Sequence, residues 1–77
     1  MSKKVDFSSL KAKWPSSFVA RQEVKKFTGG LITAGSLANY DCHKEGPEGR
    51  IKVGKKVAYP VDSLIMWLQN RSNSLDD

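Results

Sequence analysis

The sequence contains a single cysteine, Cys42, and no long apolar run. One thiol can neither form an internal disulfide nor supply the second thiolate of a structural zinc site, so a reducing compartment is expected. No stretch approaches the roughly 20 consecutive apolar residues that span a bilayer, and the N-terminal MSKKVDFSSL lacks the apolar segment of a secretory signal. We therefore expect a cytosolic protein that has no contact with a membrane.

The sequence also lacks the residue combinations that catalysis requires: a nucleophile beside an oriented base, paired carboxylates, or a metal site. His43, the single histidine, directly follows Cys42. On a helix these neighbouring side chains would diverge by about 100°, so they would form a poor catalytic pair. Neither TGG nor VGKK has the strand–loop–helix setting of a phosphate-binding loop. We expect no enzymatic activity, no metal or cofactor and no small-molecule ligand. Cys42 is then expected to be a small side chain that fills space at the edge of a helix.

Positive charge, in contrast, is plentiful. Thirteen lysines and arginines oppose eight acidic residues, which gives a formal net charge of +5 and a pI of 9.6. A surplus of this kind favours a polyanionic partner. The 77 residues provide for one small domain, in which the buried core only just outweighs the entropy of the chain.

The first part of the chain, residues 1–17, is rich in lysine and aromatic residues. Phe7, Leu10 and Trp14 have the spacing of a short amphipathic helix, which Pro15 ends. Three fates are open for this arm: its aromatic side chains dock on the domain, its lysines follow phosphates, or it binds another protein. Docking is the most common fate of such side chains, so we place it first.

Two helices joined by a glycine turn are predicted next. In ARQEVKKF, Ala20, Val24 and Phe27 recur at i, i+4 and i+7, the pattern of a two-turn helix. Residues 28–30, Thr-Gly-Gly, end this helix and allow a tight reversal. The apolar residues 31–32 should then be buried before the second helix begins.

The second helix, residues 33–44 (TAGSLANYDCHK), is predicted to have two unlike faces. Thr33 is a suitable N-cap, and Ala34, Leu37 and Tyr40 share one side. The opposite side is polar and consists of Gly35, Ser36, Asn39 and His43. Its hydroxyl, amide and imidazole groups can read base edges in a major groove. Solvated helix faces of many other proteins look the same. The neighbouring elements therefore decide whether this face reads DNA or is only exposed to solvent.

A helix, a glycine turn and a second helix together form a helix-turn-helix candidate. The following segment, RIKVGKKVAY, alternates between apolar and polar residues and predicts a short two-stranded hairpin. We expect one apolar side on the helices, made of Ile51, Val53, Val57 and Tyr59. Three lysines lie at or near the tip, where they can contact phosphates without reading sequence: Lys52, Lys55 and Lys56.

A final helix is predicted after Pro60. Val61, Leu64, Ile65 and Leu68 recur at helical spacing in VDSLIMWLQNR, and the aromatic ring of Trp67 lies beside them. In so small a core the expected role of this tryptophan is packing, although a role as an interface anchor remains open.

From about Phe18 to Gln69, the chain resembles the excisionase-like and AlpA-like regulators of phages and mobile elements. These are winged helix-turn-helix domains related to the MerR superfamily. The matching segments occur in the family's order: RQEVKKF, TGG before a polar N-cap, SLANY, EGP, IKVGKKVAYPVDSL and a final WL pair.

The resemblance implies an α+β fold that is mostly α, a winged helix-turn-helix of helices and a short two-stranded antiparallel hairpin over residues 18–71. Residues 1–17 would then be an arm, which can include a short helix, and 72–77 a disordered tail. The implied activity is sequence-specific binding of double-stranded DNA by a small prophage-type transcription regulator or excisionase in the bacterial cytosol or nucleoid. A recombinase, an integrase or another copy of the chain would be a further partner.

The resemblance also implies roles for individual residues. The second helix would enter the major groove with Ser36, Asn39 and His43 towards the bases, and Asn39 is the best candidate for bidentate contact with adenine. Thr33 and Lys44 would contact the DNA backbone at the two ends of this helix. The wing contacts would come from Lys55 and Lys56, and the hairpin pattern adds Lys52 as a nearby candidate.

The chain departs from the family at two positions of the reading helix, where relatives often carry cations and this sequence has Gly35 and Asp41. A carboxylate at position 41 would repel a nearby phosphate. Two alternatives stay open, and these departures motivate the first of them. One is a protein-interaction adapter with the same fold, anchored by Phe7, Leu10, Trp14 and Trp67. The other is the DNA-recognition domain of a phage packaging subunit.

Overall fold

The computed structural model describes residues 7–72, which form an α+β domain of four α-helices and a three-stranded antiparallel sheet. The α+β class is therefore confirmed. In chain order the elements are α1 (Ser8–Lys13), β1 (Phe18–Ala20), a 3₁₀ turn (Arg21–Glu23), α2 (Val24–Thr28), α3 (Ala34–Cys42), β2 (Ile51–Val53), β3 (Lys56–Pro60) and α4 (Val61–Asn70). None of the described helices has the length and apolarity needed to cross a membrane.

The sheet has one strand more than predicted. Its order is β1-β3-β2, and Val19 of β1 lies opposite Tyr59 of β3. The N–H of Val61 extends this pairing by donating to the carbonyl of Ser17 at 2.9 Å. The prediction of a two-stranded hairpin therefore missed β1. The three residues of this strand are too few to show the alternation of a strand, and their pairing partner lies about 40 positions away.

The hairpin register also corrects the predicted apolar side. Lys52 pairs with Val57, whereas Ile51 pairs with Ala58 and Val53 with Lys56. Because directly opposite residues share a face, Lys52 lies on the side of Val57, and Ile51 and Val53 lie on the other. The two-residue turn 54–55 fixes this register, and a turn of one residue more or less would exchange the faces.

As a result, the outer face of the sheet exposes apolar side chains to solvent, and Lys56 lies on it opposite Val53. Val53 is 68% exposed, Phe18 41% and Ile51 39%. The inner face, in contrast, contributes Val19 and Tyr59 to the core, both fully buried. The core, which lies between this inner face and the helices, consists of Val19, Val24, Phe27, Leu37, Tyr59, Val61, Leu64, Ile65 and Leu68.

The predicted first helix is shorter than expected. Its opening turn is the 3₁₀ segment, and only α2 is α-helical, with Val24 and Phe27 buried as predicted. Gly29 ends α2 with φ 70°, a left-handed conformation that suits glycine, and the N–H of Gly30 donates to the carbonyl of Lys25. Of the two apolar residues that follow, Ile32 packs on the core, but Leu31 is 68% exposed and its predicted burial is wrong.

The arm docks on the domain over its described part. Phe7, Leu10 and Trp14 pack against the core, and the ring of Trp14 meets that of Phe27 edge to face at 5.2 Å. Trp14 Nε1–H also donates to the carbonyl of Phe18 at 2.9 Å, which occupies part of the free edge of β1. The predicted disordered tail falls almost entirely on residues 73–77, outside the described residues, as does the start of the arm.

Trp67 has the packing role that its sequence position predicts. Its ring meets Tyr40 of α3 edge to face at 5.2 Å, and its Nε1–H donates to the carbonyl of Glu45 at 2.8 Å. The guanidinium carbon of Arg71 lies 4.4 Å from the centre of the Tyr40 ring, a cation–π contact. These contacts hold the C-terminal end of α3 on α4.

Candidate nucleic-acid interface

Helix α3 has the two faces predicted for it. Leu37 is fully buried, with Ala34 and Tyr40 half-buried beside it. The predicted polar face is exposed along its whole length: Gly35, Ser36, Asn39 and His43. A row of hydrogen-bonding side chains on one exposed side of a helix is the arrangement that reading a DNA groove requires.

The N-terminus of α3 is capped as predicted. Thr33 Oγ1 accepts a hydrogen bond from the backbone N–H of Ser36 at 3.2 Å and donates one to Ser36 Oγ at 3.1 Å. The two hydroxyls are therefore tied to each other, and the proton of Ser36 remains available for a ligand. The cap fixes where the exposed face begins.

The C-terminus of α3 constrains two further predicted site residues. His43 Nδ1 lies 2.8 Å from the carbonyl oxygen of Asn39, and because that oxygen can only accept, Nδ1 carries the proton. Nε2 is then the ring nitrogen left for a ligand. Lys44 has φ 61°, and the N–H of Glu45 donates to the carbonyl of Tyr40, which ends the helix in the position usually taken by glycine.

Asp41 is buried, which corrects the expectation that its carboxylate would face DNA. It is only 6% exposed. Tyr59 O–H donates to Asp41 Oδ2 at 2.5 Å, and Arg21 donates to the same oxygen from Nη2 at 2.6 Å. Arg50 Nη1 lies 3.1 Å from the other oxygen, Oδ1, as an ion pair without the alignment of a hydrogen bond. We call these four residues the Asp41 cluster.

The Asp41 cluster joins four parts of the fold. Asp41 belongs to α3, Tyr59 to β3 and Arg21 to the 3₁₀ turn, while Arg50 immediately precedes β2. Arg21 also donates from Nε to the Tyr59 hydroxyl at 2.9 Å. The cluster therefore fixes the position of α3 relative to both strands of the hairpin.

The connection between α3 and β2 closes over the Asp41 carboxylate. A β-carbon at Gly46 would overlap Asp41 Oδ1, and the neighbouring Pro47 is buried. Position 46 therefore needs glycine because of close approach, which gives a structural reason for the EGP segment. A larger side chain would displace either the connection or the carboxylate.

The electrostatics of the cluster favour an ionised carboxylate beside a neutral phenol. Burial acts to raise the pKa of Asp41, but hydrogen bonds from Tyr59 and Arg21 and the nearby charge of Arg50 outweigh it, so this pKa lies below its ordinary value. Burial, reinforced by the hydrogen bond to Asp41, raises the pKa of Tyr59. The hydrogen bond with Tyr59 raises the pKa of Arg21, which stays charged.

The lowered pKa of Asp41 predicts a loss of stability in acid. In the unfolded chain, Asp41 takes up a proton at about pH 4, whereas in the folded protein it stays ionised to a lower pH. Between these two pKa values, unfolding is therefore accompanied by the uptake of a proton. Stability that is fully present above about pH 4 is then lost as the pH falls through the folded pKa. We expect the free energy of unfolding in urea to fall more steeply between about pH 4 and pH 2 for the native protein than for Asp41→Asn. Parallel pH profiles for the two proteins would contradict this assignment.

A concave surface lies between α3 and the hairpin. Its lining residues come from both elements and from the Asp41 cluster: Arg21, Ala38, Asp41, Cys42, Arg50, Ile51, Lys52 and Val57. Ala38 and Cys42 are one helical turn apart on α3, and their small side chains leave the surface open. Cys42 is exposed there, so its expected role as a filler of the helix edge is wrong.

The structure brings only some of the predicted DNA-binding residues to this concave surface. Lys52 lines it, whereas Lys55 and Lys56 are exposed at and beside the turn of the hairpin. Ser36, Asn39 and His43 lie on the adjoining face of α3 outside the lining. Thr33 and Lys44 flank the two ends of the helix. The predicted residues therefore occupy the two elements that border the concave surface rather than one continuous pocket.

Sequence reasoning missed Arg21, Arg50 and Tyr59 as partners of Asp41. A signal for the burial of Asp41 was present, because it follows Ala34 by seven residues and Leu37 by four, on the same stripe of the helix. A carboxylate on a buried stripe requires a cationic or hydrogen-bonding partner. The identity of that partner depended on the tertiary fold.

Comparison of the chain with protein-family profiles, with curated proteins and with solved structures finds no match. Within residues 7–72 no three histidine, cysteine or acidic side chains converge as a metal site. The function is therefore inferred from the shape, charge and hydrogen-bonding groups of the chain itself.

Proposed function

We propose that this protein is a winged helix-turn-helix protein that binds duplex DNA, with α3 in the major groove and the β2–β3 hairpin as its wing. One observation carries the proposal: the exposed polar face of α3 borders a concave surface that α3 shares with the lysine-rich hairpin. A helix fits the major groove, where each base pair offers a distinct pattern of donors and acceptors. Ammonium groups beside it bind the backbone.

The roles of the residues follow from this placement. Asn39, exposed in the middle of the polar face, offers an amide that can bond adenine in a bidentate manner. Ser36 and His43 extend that face in both directions along the helix. Thr33 and Lys44 meet the backbone at the ends of the helix. Phosphate contacts come from the lysines of the wing: Lys52, Lys55 and Lys56.

The buried position of Asp41 supports DNA binding. Its carboxylate is paired with Arg21 and Arg50 rather than directed at a phosphate. The reading helix thus presents hydroxyl, amide and imidazole groups without an opposing acidic charge. The net charge of +5 then acts as a general attraction to the polyanion.

Within this proposal the protein acts in the bacterial cytoplasm as a small prophage-type transcription regulator or excisionase, and it is not an enzyme. A domain of this size buries only about 600 to 1,000 Å² on DNA. We therefore propose that it acts together with a recombinase, an integrase or a second copy of itself. The DNA-recognition domain of a packaging subunit would use the same surface.

The adapter alternative has less support. Its four anchors, Phe7, Leu10, Trp14 and Trp67, all pack against the domain's own core. An adapter with this fold would have to use other side chains.

The base-reading role is tested with Asn39→Ala, after a binding site has been selected from a pool of random duplexes. We expect the variant to lose about 1 to 3 kcal/mol of binding free energy on the selected site and almost none on an unrelated duplex. Fluorescence anisotropy with both duplexes measures the difference. Asn70→Ala is a matched control, since Asn70 is an exposed amide at the end of α4. Equal losses on both duplexes would remove Asn39 from base reading.

A further inference from the structure

We propose that Arg50 is an additional phosphate-binding residue, held by Asp41 where the reading helix meets the wing. The ligand is a phosphodiester of the DNA backbone. This inference rests on the proposed function and adds a contact that neither the sequence pattern nor the resemblance assigns.

Arg50 is positioned to reach the concave surface. It immediately precedes β2 and lies two residues before Lys52, so both side chains point to the same face of the hairpin. Both line the concave surface, opposite the small side chains of Ala38 and Cys42. Half of the Arg50 side chain is exposed, at 50%, so its guanidinium can reach a ligand in that surface.

The balance of charge favours an anion beside the Asp41 cluster. The Asp41 cluster contains two guanidinium groups and one carboxylate, and the Tyr59 phenol is neutral, so the cluster carries one uncompensated positive charge. Arg21 already donates to both Tyr59 and Asp41, and its side chain is only 26% exposed. The surplus charge is therefore directed to the concave surface through Arg50.

The Arg50 guanidinium has the chemistry to bind a phosphate. It carries five N–H donors in a rigid planar fork, and the contact with Asp41 involves one nitrogen, Nη1. The other donors can bind two oxygens of a phosphate side by side. The buried carboxylate orients the fork, so less conformational entropy is lost when the phosphate binds. Lys52 adds a second charge to the same surface.

The test measures the DNA affinity of Arg50→Gln, Arg50→Lys and the native protein over a series of salt concentrations. Each protein is measured on a selected duplex and on a random one. For Arg50→Gln we expect affinity to fall about tenfold on both duplexes at low salt, and the slope of log affinity against log salt to decrease in magnitude by about one. Arg50→Lys should keep the native slope but bind more weakly, because it retains the charge and loses the fork.

Lys13→Gln is the charge-matched control. Lys13 is exposed on α1, in a groove that is also lined by Trp14, Phe18 and Glu23. This groove shares no lining residue with the concave surface. Its replacement should leave the slope within about 0.3 of the native value. A native slope for Arg50→Gln, with binding by the native protein intact, would overturn this inference alone. Failure of the native protein to bind any duplex would overturn the proposed function and this inference with it.

Discussion

Replacement of Asp41 by alanine should lower the free energy of unfolding by about 3 kcal/mol, a loss large enough to leave much of so small a domain unfolded. The substitution removes a carboxylate whose side chain is 5% exposed and leaves Arg21 part-buried without its counter-charge. It also deprives the buried hydroxyl of Tyr59 of its acceptor. Removing one member of a buried charged network leaves the other polar groups buried without partners. The resulting loss of stability exceeds the stability that the whole network adds relative to apolar side chains in its place. Urea unfolding followed by tryptophan fluorescence measures the change.

Asp62→Ala provides the matched control, because it changes the net charge by the same amount. Asp62 pairs with Lys11 at 2.8 Å, but the two side chains are 77% and 60% exposed. A surface pair of this kind contributes about 0 to 1 kcal/mol, so we expect a loss within that range. Similar losses for Asp41→Ala and Asp62→Ala would mean that the Asp41 cluster does not hold α3 against the hairpin.

The double substitution Lys55→Ala, Lys56→Ala should weaken binding to every duplex by roughly one to two orders of magnitude at low salt and reduce the salt slope by about two. The two lysines adjoin the turn of the hairpin and are exposed, so their loss should not disturb the core. Because the proposed contacts of these lysines are with phosphates and not with bases, the ratio of specific to random affinity should stay nearly constant. Fluorescence anisotropy on both duplexes over a salt series gives both quantities.

Lys25→Ala, Lys26→Ala is the control for overall charge. These two exposed lysines are also adjacent, and they belong to α2, where Lys26 lines the groove beside Trp14 and not the concave surface. Their removal lowers the net charge equally. If both double variants changed the salt slope to the same extent, the effect would be one of net charge, and the hairpin would lose its assigned role as a wing.

The sequence predicts the helices of this domain well where periodicity and capping agree. In α3 the Thr33 cap and the stripe of Ala34 and Leu37 mark both the start of the helix and its buried side. In α4, which has no side-chain cap, the spacing of Val61, Leu64 and Leu68 marks the buried side. Each of these signals is local, so it can be recognised without knowing the rest of the fold.

The features that the sequence does not predict depend on contacts between distant residues. The pairing of β1 with β3 joins segments about 40 residues apart, and the register of the hairpin depends on where a two-residue turn falls. Asp41 illustrates the same difficulty within the candidate site. Its burial could be suspected from the helical stripe, but its pairing with Arg21 and Tyr59 required the folded sheet. Arg50 acquires its proposed role only through its ion pair with the same carboxylate.

The most direct test of the account is an NMR titration of ¹⁵N-labelled native protein with a selected duplex at low salt. We expect the largest amide shifts in residues 33–44 and 50–57, with small changes along α1 and the exposed side of α4. A shift pattern confined to β1 around Phe18, with no change in residues 33–44, or the absence of any shift at a protein-to-duplex ratio of one to one, would contradict the proposal that α3 and the wing together bind DNA.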